Sequence, residues 1–208
     1  MIKLYGGPTT NVRKVTIALE ELGLKYTAHH IRLDKGQQRE SWYLDKAPNH
    51  KIPLIEDSET DVSVWESGAI LTYLADQYDT DGIILAKSGQ SRYSAIQGAF
   101  FQAAHIGPNL GRLNDQLTAE DSDKIPRMIE LFYAEAVRLS EVLERMLEDE
   151  RPYLAGNYSI ADIMHFPWLT AALDLQFPAL VEKQVVVDWI ERIATRPAVQ
   201  RGMLAFAS

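Results

Sequence analysis

Two stretches near the N-terminus hold residues whose types and spacing suit the grip of a small anionic ligand. The first is Asn49-His50-Lys51-Ile52-Pro53-Leu54-Ile55, a polar turn that runs into a proline and then an apolar strand. A proline at the start of a strand has no N–H to give, so the backbone just before it is free to pair with something else. The second is Val64-Trp65-Glu66-Ser67-Gly68-Ala69-Ile70, an apolar strand ending in Glu-Ser ahead of a helix of small and apolar residues. Ser67 at a helix start can act as a cap, and the first N–H groups there form an anion site. Together the two stretches read as a clamp for a small peptide that bears a carboxylate and needs main-chain hydrogen bonds.

A third group concerns sulfur. The chain contains no cysteine, which removes disulfides, thiolate metal sites and cysteine nucleophiles, so any thiol chemistry must use a thiol brought by a ligand. A thiol that ionises near about 8.5 is mostly protonated at neutral pH and needs donors or positive potential at the sulfur. Thr9, Thr10 and Asn11 offer such donors just after the first strand, at the start of a helix whose N-terminus adds positive potential. Capping that helix is the competing use of each. Tyr5 is a rival donor, but it ends the first strand before a Gly-Gly-Pro turn and is expected to pack. His29, His30, His50, His105 and His165 show no metal-ligand spacing, and His165, beside Phe166 and Trp168, is expected in the core or at an interface.

These groups need elements to position them. Ile2–Tyr5 reads as a strand, Lys14–Leu22 as a helix stopped by Gly23, and Tyr26–Leu33 as a second strand. Asp34–Leu44 is polar with a short helix possible. Pro53–Glu56 and Val62–Trp65 form a hairpin around the acidic turn Asp57–Asp61, and Ser67–Tyr78 is a helix. The order βαβαββα over residues 1–80 matches a thioredoxin-like α/β fold. Tyr78–Gly82 looks like a linker, and from residue 88 to 208 the pattern is all-α, a helical bundle domain. There Ser91–Leu117 is one long helix or a pair broken at Gly107-Pro108, followed by helices over Ile125–Glu150, Ser159–Leu173, Glu182–Thr195 and Ala198–Ala205. Gly156-Asn157-Tyr158-Ser159-Ile160-Ala161-Asp162-Ile163 carries a capping box, with Ser159 as cap, Asp162 reaching back to it, and Tyr158 and Ile163 placed for a hydrophobic staple. Ser159 and Asp162 are therefore read as structural.

The bulk properties bound the partners. The 208 residues are 46% apolar and 24% charged, a globular balance. A net charge of −8 disfavours nucleic acid and anionic membranes without excluding a small anion. No run approaches the roughly 18 apolar residues of a membrane span. The chain opens directly into a strand pattern, so no signal peptide and a cytoplasmic location are expected.

Pro8-Thr9-Thr10-Asn11, Lys35-Gly36-Gln37-Gln38, Pro48-Asn49-His50-Lys51-Ile52-Pro53 and Trp65-Glu66-Ser67-Gly68-Ala69-Ile70 resemble the nu class of bacterial glutathione transferases, a disulfide-bond reductase group. The likeness runs over nearly the whole chain, including Asn157–Ile163. It implies glutathione as cosubstrate and no metal. It implies that Thr9 and Asn11 contact the glutathione sulfur and that Gln38 and Lys51 hold the glycyl end. Ile52, before a cis proline, would pair with the cysteinyl unit, while Glu66 and Ser67 grip the γ-glutamyl amine and carboxylate. It also implies a homodimer, with the thioredoxin-like domain of one chain against the helical domain of the other, a reading supported by the aromatic-rich stretch Tyr93–Phe101. The group tends to carry an arginine in the first half of the long helix. Here that position is Leu131; Arg127, one turn earlier, or Arg112 could substitute, though each reads more readily as a solvated charge. Three functions follow in order of preference: reduction of disulfides by bound glutathione, conjugation of glutathione to electrophiles, and non-catalytic glutathione binding by a regulator.

Overall fold

The computed structural model describes residues 1–148, 151–175 and 177–206. Its first half is β1 (Ile2–Gly6), α1 (Thr10–Glu21), β2 (Tyr26–His30), two 3-10 turns (Leu33–Lys35 and Gln37–Arg39), α2 (Ser41–Leu44), β3 (Leu54–Asp57), β4 (Val62–Trp65) and α3 (Ser67–Tyr78). The four strands form one sheet in the order β2-β1-β3-β4. β1 runs parallel to β2, with Ile2 opposite Tyr26, and antiparallel to β3, with Tyr5 opposite Leu54. β3 and β4 are the expected hairpin, with Leu54 opposite Trp65. This is the thioredoxin-like arrangement.

The second half is helical: α4 (Gly89–Phe101), a π-helical turn (Gln102–Ile106), α5 (Gly107–Thr118), α6 (Pro126–Met146), α7 (Ile160–Asp174), α8 (Pro178–Val181), α9 (Gln184–Ala194) and α10 (Pro197–Leu204). The helix expected to reach Glu150 stops at Met146, and Glu150 itself lies outside the described residues. The capping box holds as read. The Ser159 hydroxyl accepts from Ala161 N–H at 3.2 Å, and Asp162 Oδ2 accepts from Ser159 N–H at 2.9 Å. Tyr158 and Ile163 are both buried.

Three differences from the expected elements have local causes. α1 begins at Thr10 rather than Lys14, because the Thr9 hydroxyl accepts the Val12 N–H and caps a polar turn that apolar periodicity does not register. β2 ends at His30 instead of Leu33, where Gln37 Oε1 accepts the Arg32 N–H at 2.8 Å and folds the chain into the first 3-10 turn. Gly107-Pro108 does not split the long helix. Pro108 has no N–H for the residue four back and crowds its carbonyl. The backbone widens there, and Gly107 N–H reaches Gln102 O, five residues back, in a π turn.

α1 is the element on which the two halves meet. It packs on α3 within the first domain and on α7 and α10 of the second. Val12, Val15, Ile17, Ala18 and Leu19 are all buried, so the helix has little solvent-facing surface. Arg196 pairs with Glu21 at 2.7 Å, Arg201 with Glu20 at 2.6 Å, and Thr16 donates its hydroxyl to Gly202 O at 2.6 Å. A Cβ at Gly202 would stand 2.6 Å from Ile17 Cα and 2.7 Å from its nitrogen. Backbone cannot step aside as a side chain does, so Gly202→Ala is expected to push α10 off α1. The cost should be about 1–3 kcal/mol, read as a shift in the denaturation midpoint. An unshifted midpoint would mean that the helix crossing yields more easily than this close approach implies.

Candidate active site

The seven residues singled out in the sequence lie around one depression at the domain boundary. Three adjoining hollows of about 260, 270 and 260 Å³ share Asn11 as a wall. The first is lined by Asn49, Lys51, Ile52, Pro53, Trp65, Glu66 and Ser67. The second leads towards the 3-10 turns, past Thr9, Gln38, Arg39, His50, Lys51 and Ile52. The third opens between the domains and adds Lys14, Gln102, Ala103, Gly107, Pro108 and Trp168 to Glu66 and Ser67. Thr10 lines none of the three.

Each group is presented with bonding capacity to spare. The Ile52–Pro53 peptide is cis, and among the described residues none bonds the Ile52 N–H or carbonyl. α3 starts at Ser67 without a side-chain cap, so its first N–H groups face the first hollow unpaired. Glu66 holds this helix start with φ 69° and ψ 119°, outside the regions open to most residues, at a cost of roughly 1–3 kcal/mol. Its carboxylate accepts one bond from Asn49 Nδ2 at 3.1 Å. Gln38 Oε1 is buried without a partner.

At the start of α1, the Thr9 hydroxyl accepts from Val12 N–H at 3.4 Å, which leaves its own proton to donate. Asn11 is set from the other domain. Trp168 Nε1 donates to Asn11 Oδ1 at 3.0 Å. An indole N–H can only donate, so the amide oxygen must face Trp168 and the amide N–H groups must face away from it. Asn11 thus brings a fixed donor to the point where the three hollows meet.

Tyr5 is not at this point. Its hydroxyl donates to Glu56, its ring stacks on His29 with centroids 4.9 Å apart, and burial together with that carboxylate pushes it up to about 12. His165 is fully buried on α7, bonded through Nδ1 to Ala161 O at 2.8 Å, and burial pushes it down to about 4. Among the described residues no group of three or more His, Asp or Glu stands where it could hold a metal ion.

The arginine sought in the sequence does not line the site. Leu131 is exposed on α6, Arg127 pairs with Glu130 at 3.1 Å on the same exposed face, and Arg112 is exposed on α5. The cation of the interdomain hollow is Lys14, which sequence reading passed over. Lys14 is 2% exposed and donates to Gln102 Oε1 at 2.6 Å. Burial pushes its ammonium down to about 7, against an upward pull from Glu66.

With this geometry in place, comparison with known proteins is specific. Residues 1–76 match the glutathione S-transferase N-terminal domain and residues 130–197 the C-terminal domain. Across 98% of this chain and 95% of the relative, 40% of residues are identical to disulfide-bond oxidoreductase YfcG of Escherichia coli. Glutathione S-transferase 2 of Schizosaccharomyces pombe is 36% identical over 94% of this chain and 90% of its own. Among solved structures, a glutathione transferase of Burkholderia graminis with two glutathione molecules bound per subunit superposes with a TM-score of 0.91 and 36% identity. That superposition covers 98% of this chain and 88% of the other. The chain belongs to the glutathione S-transferase superfamily of enzymes.

Proposed function

We propose that this protein is a glutathione-dependent disulfide reductase that works without a cysteine of its own. The observation that carries the reading is Asn11, whose donor is aimed by Trp168 into a site built around a free backbone turn and an uncapped helix start. Glutathione would lie with its γ-glutamyl carboxylate on the N-terminus of α3 and Ser67, its ammonium on Glu66, its cysteinyl backbone on Ile52 and its glycyl carboxylate near Lys51 and Gln38. Its sulfur would then face Thr9 and Asn11. The bound thiol gives up its proton, and the thiolate attacks one sulfur of a substrate disulfide. A new S–S bond forms as the old one breaks, and the departing sulfur takes a proton. A second glutathione repeats the exchange and leaves glutathione disulfide, so two thiols supply the two electrons.

Conjugation to electrophiles is the second reading. The interdomain hollow has room for a small molecule beside the sulfur, and the fission-yeast relative is named a glutathione S-transferase. The test is one preparation assayed with 2-hydroxyethyl disulfide and with 1-chloro-2,4-dinitrobenzene. Strong reduction with weak conjugation supports the reductase; the reverse replaces it with a transferase. Binding of glutathione with neither activity would support a regulator.

Ser67→Ala is expected to weaken glutathione binding about tenfold, the worth of one hydrogen bond to a charged group. Titration calorimetry reads it directly, and an unchanged Kd would reject the residue's role.

We propose residues 1–80 and 88–208 as the two domains and a homodimer as the assembly. Tyr93 and Phe100 on α4 are 63% and 70% exposed, and Trp65 on β4 is 38% exposed, more aromatic surface than a lone chain needs in water. Sedimentation at micromolar concentration should show about twice the chain mass, and a monomer would refute it.

A further inference from the structure

We propose that Lys14 and Gln102 form the pocket for the sulfur that leaves the substrate disulfide, with the Lys14 ammonium giving that sulfur its proton. The proposal rests on the reductase reading above and adds the residues that serve the departing group.

The argument starts from unpaired donors. The Lys14 ammonium has three N–H groups, and among the described residues its one hydrogen-bond acceptor is Gln102 Oε1. The Trp168 ring also stands near it, with its centroid 6.0 Å away. Because a lysine can only donate, Gln102 must turn its oxygen to Lys14, which fixes Nε2 on the other side. That Nε2 is buried and bonds to nothing. Both side chains are more than nine-tenths buried, and both line the interdomain hollow that Asn11 shares with the first. Unpaired buried donors are costly, and a set of them facing one hollow calls for an acceptor, best a negative one. In disulfide exchange the attacking sulfur sits at Asn11, and negative charge appears next on the departing sulfur, in line beyond the bond being broken. The interdomain hollow shares Asn11 with the first hollow and is the space the proposal gives to that sulfur.

The step balances without a further reactant. The glutathione thiolate uses its electron pair to form the new S–S bond. The pair of the old S–S bond stays on the departing sulfur, which takes a proton from the Lys14 ammonium. The neutral amine is then reprotonated by water entering the hollow. The titratable groups facing Lys14 are Glu66 at the start of α3 and His165 on α7, which burial keeps neutral. From α10, Arg201 is engaged by Glu20. A lysine that loses its proton near about 7 is poised for such transfer at neutral pH.

The decisive experiment varies the leaving group. Wild type and Lys14→Met are compared on 2-hydroxyethyl disulfide, an alkyl disulfide with a weakly acidic leaving thiol, and on 5,5′-dithiobis(2-nitrobenzoate), whose aryl thiolate departs without help. General acid catalysis is worth about 100-fold here, so the alkyl-to-aryl ratio of kcat should drop by about that factor in the variant. An unchanged ratio, with both substrates slowed alike, would mean that Lys14 only ties α1 to the π turn, and the proposal falls while the reductase reading stands. If wild type binds glutathione yet reduces neither disulfide, the reductase reading falls and takes this proposal with it. Should Lys14→Met not fold, Gln102→Glu provides a second route. A carboxylate beside the ammonium raises its pKa, so the alkaline fall of kcat on the alkyl disulfide should move up by about one pH unit or more. A limb that stays in place overturns the assignment.

Discussion

Asn11→Ala is expected to lower kcat for glutathione-dependent disulfide reduction by about 10²- to 10³-fold, with little change in glutathione affinity. The amide N–H does little for a neutral thiol and much more for a thiolate, so its loss weighs on the transition state rather than on binding. Its orientation is already fixed in the free protein by Trp168 Nε1 at 3.0 Å, so nothing has to be reorganised as the sulfur becomes charged. Alanine leaves Trp168 Nε1–H without its acceptor, yet Trp168 is half-buried and borders an open hollow where water can replace the amide oxygen. Trp168→Phe is the companion variant. It keeps Asn11 but frees its amide to rotate, and it should lose less activity than Asn11→Ala. Single-turnover kinetics at saturating glutathione separate the chemical step from binding. Equal kcat in wild type and Asn11→Ala would strip the residue of its role and turn attention to Thr9.

The second large effect is on stability. Asp162→Ala should cost about 3–5 kcal/mol, because it leaves several buried donors unpaired at once. Asp162 Oδ1 accepts from Leu154 N–H at 3.0 Å and from Trp189 Nε1 at 2.9 Å, and Oδ2 accepts from Ser159 N–H at 2.9 Å. Trp189 is fully buried on α9, so this one carboxylate joins the loop before α7, the cap of α7 and α9. Burial pushes the carboxyl up to about 6, and the same donors pull it back down. Asp162→Asn keeps the shape and one acceptor oxygen and should lose roughly half as much, by the same count of unpaired donors. Chemical denaturation measures both. A loss below about 1 kcal/mol for alanine would show that water enters and satisfies the donors, contrary to their burial.

Motifs made of neighbours in the chain were legible in the sequence. The Ile52–Pro53 turn, the start of α3 at Glu66-Ser67 and the Ser159–Asp162 box are shaped by their own backbone and that of the next turn, so residue type and spacing suffice to mark them. α3 spans Ser67–Tyr78 as read for the same reason. The order of strands and helices in the first domain was also legible, since alternating patterns with Gly and Pro stops mark a thioredoxin-like half and helical periodicity marks the rest. The likeness to glutathione transferases rested on those local motifs.

What the tertiary structure decided involves residues far apart in the chain. Asn11 is aimed by Trp168, 157 positions later, and Lys14 meets Gln102, 88 positions later. Periodicity marks the apolar face of a helix and leaves its charged residues to solvent. α1 is enclosed by α3, α7 and α10, so that inference fails for it, and a lysine that reads as a solvated charge is buried at the site. Arg127 and Arg112 are the solvated charges that their sequence context suggests, and neither replaces the arginine absent at Leu131. Those positions lie on exposed helix faces, and only the packing of the two domains shows which charge reaches the hollow between them.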